Sequence, residues 1–429
     1  MRPSGISLWF AAAGCLLALV APDLEIWRAL IGIWLAVTLV DAILVYANSQ
    51  VSVSRAVSPN LSVNRDATVR ITIHNPQNRR LRIRCQDEIP ANTRRISSLD
   101  WVELAGKRST QLVYRLRAIR RGDGQFGRVS MLIESPFRLW ELRRRKQADN
   151  AVRVYPDFEA INQYLELVSD QQTQRLGLNV RPRHGEGMEF HQLREYHPND
   201  GIRSIDWKAT ARRRKLITKQ YMVERDQRVL FLLDSGSRMR AKDGQLSHFD
   251  HALNAMLLLS HVALRQGDTV ALKAFGPSKI WLPELRGVQS INRLLNTVYT
   301  IHTGAATADF VGAAEEVMLQ QRKRSLIVIL TNLREEDSDL LPALRLLRRR
   351  HVVVLASLRE SAVDAALAMD ANPFDQALLV AGASRYLAQR SQAQARYARD
   401  AHILLDCVPG QLPTKLVNSY WQLKRAGAL

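Results

Sequence analysis

Along the first 47 residues polar positions almost vanish: Ile6 to Ala21 and Ile26 to Ala47 are apolar runs separated by Pro22, Asp23 and Glu25. A bilayer core takes about 20 helical residues. The second run therefore predicts a spanning helix, and the slightly shorter first run its partner in a helical hairpin. From residue 50 to 155 the period changes to two. VSVSRAV, ATVRITIHN, LRIRCQDEIP, STQLVYRLRAI, GQFGRVSMLIE and AVRVYPD alternate between the two classes, with Asn-Pro, Gly-Asp-Gly and Ser-Pro between them. That pattern predicts a small β-sandwich. A polar helical connector is expected over 157 to 175, then a loop-rich segment to 218.

Beyond it, short apolar runs alternate with amphipathic ones. Val229 to Leu233, Thr269 to Phe275, Ser325 to Thr331, Val352 to Ser357 and His402 to Cys407 read as strands. Phe249 to Arg265, Ser290 to Tyr299, Phe310 to Gln321 and Leu340 to Arg350 read as helices between them. Near-continuous apolar strands separated by helices call for a parallel sheet covered on both faces. The expected fold is thus multidomain: a transmembrane helical hairpin (1–48), a β-sandwich (50–155), a connector with a basic segment (156–224) and a doubly wound α/β domain (225–429).

Composition narrows the chemistry. Cys15, Cys85 and Cys407 are far apart, with no CxxC pair, so neither a disulfide framework nor a zinc site is expected. GxxxxGK[ST], GxSxG and HExxH motifs are missing, and no GxGxxG turn leads from a strand into a helix, so any nucleotide energy must come from a partner. The net charge of +20 is spread along the chain with little aromatic interleaving. That favours a surface beside anionic lipid or an acidic protein over nucleic acid. Arg2 precedes the hairpin and many basic residues follow it, whereas its turn is acidic. The positive-inside rule then places both termini and the bulk of the chain in the cytoplasm, at the inner membrane. Asp41 sits close enough to the end of the second run for its carboxylate to be expected at the water interface.

The densest polar stretch, Gly185 to Met239, runs into a buried strand ending on Asp234. In an open α/β sheet ligands meet the carboxyl ends of strands, so this aspartate marks the expected recognition end. Upstream, LREYHPNDGIRSIDWKATARRRKL resembles the segment that defines the domain of unknown function 58 family. The resemblance rests on Leu193, Arg194, Glu195, Tyr196, Pro198, Asp200, Arg203, Ile205, Asp206, Trp207, Lys208, Ala211 and Arg212. SPFRLW at the sandwich end and the terminal LVNSYWQLK helix extend it, while Asn199 stands where that family usually has glycine.

The resemblance implies a membrane-anchored protein with a von Willebrand factor A-like domain, acting beside a MoxR-type AAA+ ATPase in protein assembly or maturation. Such domains often carry a D-x-S-x-S metal-ion-dependent adhesion site with a distal Thr and Asp. Mg²⁺ wants about six oxygen ligands. This chain reads Asp234-Ser235-Gly236-Ser237-Arg238, which puts glycine and arginine at the two hydroxyl positions. Thr307, Asp309, Thr331 and Asn332 are the distal candidates. The ligand set falls short, no cofactor is expected, and Arg238 is expected to replace the ion by pairing with Asp234 or Asp309.

Arg194, Glu195, Asp206, Trp207 and Arg212 are expected to form one ion-pair and cation–π elbow packed near Asp234. His184, His191 and His197 lack metal-ligand spacing, and His248 and His251 are expected to be exposed or capping. The function expected is non-enzymatic: a membrane-anchored scaffold binding a protein partner. A metal-dependent hydrolase using Asp234 and Asp309 around Mg²⁺ is the alternative, and a basic nucleic-acid binder the third.

Overall fold

The computed structural model describes residues 1–20, 24–47, 49–157, 189–197, 205–222, 227–334, 339–369 and 374–429. It divides into two units, Met1–Asp157 and Phe158–Leu429. The expected connector helix at 157 to 175 lies almost wholly outside the described residues.

In the first unit, the short strand β1 (Arg2–Pro3) leads into helices α1 (Gly5–Val20) and α2 (Leu24–Ala47). Within α2, Trp27–Ala47 is long and apolar enough to cross a membrane. By contrast, α1 is only about 24 Å long at about 1.5 Å per residue. Eleven strands follow: β2 (Ser52–Ala56), β3 (Asn60–Ser62), β4 (Asp66–His74), β5 (Leu81–Asp87), β6 (Thr93–Arg95), β7 (Trp101–Leu104), β8 (Ser109–Ala118), β9 (Gly122–Phe126), β10 (Val129–Glu134), β11 (Trp140–Lys146) and β12 (Asn150–Tyr155). They form sheets ordered β1-β11-β10-β5-β7, β2-β4-β8-β6 and β3-β12-β9. Alternation drives the packing: Leu112, Tyr114, Leu116 and Ala118 of β8 are buried, and the residues between them are exposed. An ion pair also lies inside this unit. Arg55 meets Asp87 with both side chains wholly buried, Tyr114 donates to Asp87 at 2.6 Å, and Arg55 lies over the Phe126 ring at 4.7 Å.

Asp41 departs from expectation. It is fully buried rather than at a water interface. Its carboxylate accepts from Ser135 Oγ at 2.5 Å and from the amides of Phe137 and Leu139 at 3.0 and 3.2 Å. Trp140 Nε1 donates to the Thr38 carbonyl at 3.0 Å. The SPFRLW turn is thus stapled to the last turns of α2, because its amides have no strand to pair with and a carboxylate takes them instead.

The second unit begins, among the described residues, with a hairpin of β13 (Glu189–Glu195) and β14 (Ile217–Met222) around helix α3 (Trp207–Arg213). Its main sheet contains β15 (Arg228–Asp234), β18 (Thr269–Phe275), β19 (Ile280–Leu285), β20 (Leu326–Thr331), β21 (Val352–Leu358) and β22 (Ile403–Cys407), after a small ribbon of β16 (Lys242–Asp243) and β17 (Leu246–Ser247). The order is β19-β18-β15-β20-β21-β22. All pairings in the main sheet are parallel except β18 with β19.

Helices α4 (His248–Arg265), α5 (Ile291–Val298), α6 (Phe310–Gln320), α7 (Leu340–Arg348), α8 (Ser361–Leu367), α9 (Phe374–Tyr397) and α10 (Leu412–Arg425) complete the unit. One core, including Phe231, Phe249, Met256 and Tyr420, lies on one face of the sheet; a second, including Leu232, Phe310, Leu344 and Tyr397, lies on the other. Alternate residues of β15 feed the two cores, as a doubly covered strand requires.

Candidate functional site

The strand order reverses between β15 and β20, and the carboxyl ends of the strands at such a switch point are where open α/β sheets place their binding crevice. Asp234 ends β15 and Thr331 ends β20. The Asp234 side chain is wholly buried. Its Oδ1 accepts from the Gly236 amide at 2.7 Å and its Oδ2 from the Thr331 hydroxyl at 2.6 Å.

The Arg238 guanidinium approaches the same carboxylate, with Nε 3.6 Å from Oδ2 and only 11% of its side chain exposed. It lies over the Phe310 ring at 5.2 Å and reaches the Asn332 carbonyl through Nη1 at 3.4 Å. A fixed positive charge therefore stands beside the buried carboxylate.

The remaining candidates have other tasks. Ser235 donates its hydroxyl to the Phe275 carbonyl at 2.7 Å and accepts the Ser278 amide at 3.1 Å. The Ser237 amide donates to the Ala306 carbonyl at 3.1 Å, holding the 304–309 loop against the 235–238 turn. Thr307 is exposed. Asp309 caps α6 by accepting the Gly312 amide at 2.8 Å.

A serine at position 236 would meet steric resistance. A Cβ there would lie 2.9 Å from Asp234 Oδ1, 3.2 Å from the Ala308 amide nitrogen and 3.3 Å from the Ala306 carbonyl oxygen. The turn is closed around glycine, so the hydroxyl missing from the sequence has no ready place in the structure. As an Mg²⁺ ligand set, these residues fit poorly: Asp234 and Thr331 satisfy each other, and Arg238 brings a permanent cation.

Beside the crevice lies a buried polar cluster that the sequence did not suggest. Arg390 of α9 is 5% exposed. Its Nη1 donates to Asn332 Oδ1 at 3.1 Å, the Leu333 carbonyl at 3.0 Å and Tyr386 at 3.0 Å. Its Nη2 donates to Ser357 at 2.6 Å, the Leu358 carbonyl at 2.8 Å and Asp406 at 2.7 Å. Asn332 Nδ2 donates to Glu360 at 3.0 Å and lies 3.3 Å from His248 Nδ1.

His248 is fully buried rather than exposed, and its Nε2 has no hydrogen-bond partner among the described residues. It opens α4 after a capping box formed by Ser247 and Asp250. Burial lowers the His248 pKa against the pull of Glu360. His251 is likewise half-buried, not exposed, with its pKa lowered chiefly by burial. Asn332 links this cluster to Arg238 through its carbonyl, so α9 buttresses the crevice from behind.

The basic elbow forms only in part. Asp206 caps α3 by accepting the Lys208 and Ala209 amides, both at 3.0 Å. Glu195 pairs with Lys215 at 3.0 Å, and Arg194 donates to the Glu195 carbonyl at 3.2 Å. The Tyr196 amide donates to the Leu216 carbonyl at 2.9 Å. Trp207, however, is 65% exposed. It contributes no core to the domain, because as the first residue of α3 it sits on a helix with no buried residue. Arg212 is also exposed. Asp200, Arg203, Pro198, Asn199 and His184 lie outside the described residues.

Among known proteins, a family model described as protein of unknown function DUF58 matches residues 192–393. Uncharacterized protein YeaD of Bacillus subtilis (strain 168) is 25% identical over 244 residues, covering 54% of this chain and 56% of that protein. An uncharacterized protein of Mycobacterium tuberculosis (strain ATCC 25618 / H37Rv) is 25% identical over 173 residues, covering 40% of this chain and 54% of that one. The chain thus spans about half the length of the curated relatives it matches. Among solved structures, a fragment of Escherichia coli alpha-2-macroglobulin aligns at 18% identity over 25% of this chain and 17% of its own. The TM-score of that alignment is 0.22.

Proposed function

We propose that this protein is a membrane-anchored interaction scaffold with no catalytic activity of its own. In this reading the apolar N-terminal helices hold the chain at the inner membrane, and the bulk of it lies in the cytoplasm. The α/β unit is a von Willebrand factor A-like domain whose strand-end crevice receives a protein partner. The partner is a MoxR-type AAA+ ATPase, which supplies the nucleotide chemistry that the sequence lacks.

Three observations support the reading. The resemblance of the 193–216 segment points to that setting. The doubly covered, mostly parallel sheet, with an aspartate ending the central β15, is compatible with such a domain. The third observation carries the conclusion: Arg238 stands 3.6 Å from the buried Asp234 carboxylate. A crevice built on an internal ion pair is shaped for recognition, whereas hydrolysis needs an open metal position or an activated nucleophile. The Ser235 hydroxyl is taken by the main chain and that of Thr331 by Asp234, and among the described residues neither meets a histidine.

The test is a membrane pull-down of tagged full-length protein beside Asp234→Ala and Arg238→Ala variants, with ATP present. Recovery of an AAA+ ATPase with the wild type, lost in both variants at matched amounts of folded protein, is expected. No ATPase with the wild type contradicts the proposed partner, and equal recovery from all three contradicts the proposed surface.

A further inference from the structure

The five-stranded sheet of the N-terminal unit carries a groove of about 780 Å³ lined in part by Met1, Arg2, Arg84, Arg95, Ser130 and Arg143. The strand register explains its charge. Leu132 on β10 pairs with Arg84 on β5 and with Arg143 on β11. Residues in register across neighbouring strands share a face, so two guanidinium groups flank one leucine.

One step along the same ladders the charges are matched: Arg82 meets Glu134 at 3.0 Å, and Arg2 meets Glu141 at 2.5 Å. Arg84 and Arg143 are exposed and have no such partner among the described residues. Arg95, at the groove wall, donates through Nη2 to the Asp87 carbonyl at 2.6 Å, but its Nε is buried without an acceptor. Arg84 and Arg143 thus stand on either side of Leu132 on one exposed sheet face with no counter-charge among the described residues, and an anion between them would supply it.

The position of the groove selects the anion. Met1 and Arg2 line it, and α1 starts at Gly5, so it opens within about 10 Å of extended chain from the foot of the apolar helices. Basic pockets beside membrane segments take lipid headgroups. We propose that this groove binds the phosphate of an anionic phospholipid, held between Arg84 and Arg143, with the acyl chains following the apolar helices. The proposal rests on the membrane-anchored reading given above. It gives the +20 charge of the chain a specific contact in place of a diffuse one.

The test titrates full-length protein in nonionic detergent with dihexanoyl phosphatidylglycerol, dihexanoyl phosphatidylcholine and inorganic phosphate. Saturable binding of the glycerol lipid, at least about tenfold tighter than the other two, is expected. The Arg84→Gln/Arg143→Gln variant should bind it about thirty-fold more weakly while keeping the wild-type Tm, since it removes two exposed and mutually repelling charges. Equal affinity for both lipids, inorganic phosphate binding as tightly as the lipid, or an unchanged double variant would each overturn the proposal. Flotation with neutral phosphatidylcholine vesicles tests the anchor separately. Wild type and variant should both float; failure of both refutes the anchoring while the detergent titration still reports on the groove.

Discussion

Replacing Arg390 by methionine removes the fork that ties α9 to the carboxyl ends of three strands. In the wild type, Nε meets both Asp406 oxygens at 3.1 Å, and Nη2 meets one of them at 2.7 Å. The other donors serve Asn332, Leu333, Ser357, Leu358 and Tyr386. Removing one partner of a buried pair costs about 3–5 kcal/mol. Asp406 keeps 15% side-chain exposure and can recover some hydration, which argues for the lower end. The main-chain carbonyls of Leu333 and Leu358 each lose a charged donor, which argues against going lower.

The expected cost is therefore about 3 kcal/mol, or roughly 5 °C in Tm for a unit of this size. Thermal unfolding of the full chain in detergent measures the total. Hydrogen exchange shows where it falls: amides of Phe374–Tyr397 should exchange faster while those of β15 and β18 stay protected. Arg390→Lys keeps the charge without the fork and should lie between the two. A loss under about 1 kcal/mol, or unchanged protection of α9, would refute the clamp.

Other expectations follow from buried groups. His351 is 2% exposed, and neither ring nitrogen has a partner among the described residues; burial, with Arg350 nearby, pushes its pKa down to about 4. The unfolded chain takes up that proton near pH 6.5, so stability falls as pH drops from about 6.5 to 4 and levels off below. His351→Leu should remove about 2.5 kcal/mol of the loss between pH 7 and 4.5, at about 1.4 kcal/mol per unit; an unchanged pH profile contradicts this. Asp41→Ala leaves three donors of the 135–139 turn without their acceptor and should cost about 3 kcal/mol, with faster chymotryptic cleavage after Phe137. Asp41→Asn keeps an acceptor and should lose less; if neither variant changes Tm or cleavage, the staple has no energetic role.

The elements that were legible in the sequence are those whose burial is periodic. The β15, β18, β20, β21 and β22 strands and helices α4 to α7 were readable within a residue or two, because each is covered on a fixed face. The edge strand β19 was not, since Pro283 and partial exposure blur its pattern. Helix α9 shows no clear apolar period in the sequence because only Ala383, Arg390, Ala393 and Tyr397 of it are buried. The β13–β14 pairing was hidden by the long polar insertion between its strands.

In the crevice, Arg238 was visible because it departs from a motif at a fixed spacing from Asp234. The Arg390 cluster was not visible, because its partners come from separate elements and no local spacing joins them. Asp41 stood out as an ionisable group in an apolar run, but its partners lie more than 90 residues away.

The central claim is that the internal guanidinium of Arg238 takes the place of a metal ion at the end of β15. Mg²⁺ titration of full-length wild type and Asp234→Ala, followed by thermal unfolding, tests it most directly. The account predicts the same small shift in both proteins. A rise in Tm with Mg²⁺ that is present in the wild type and lost in Asp234→Ala would contradict it and return the crevice to metal chemistry.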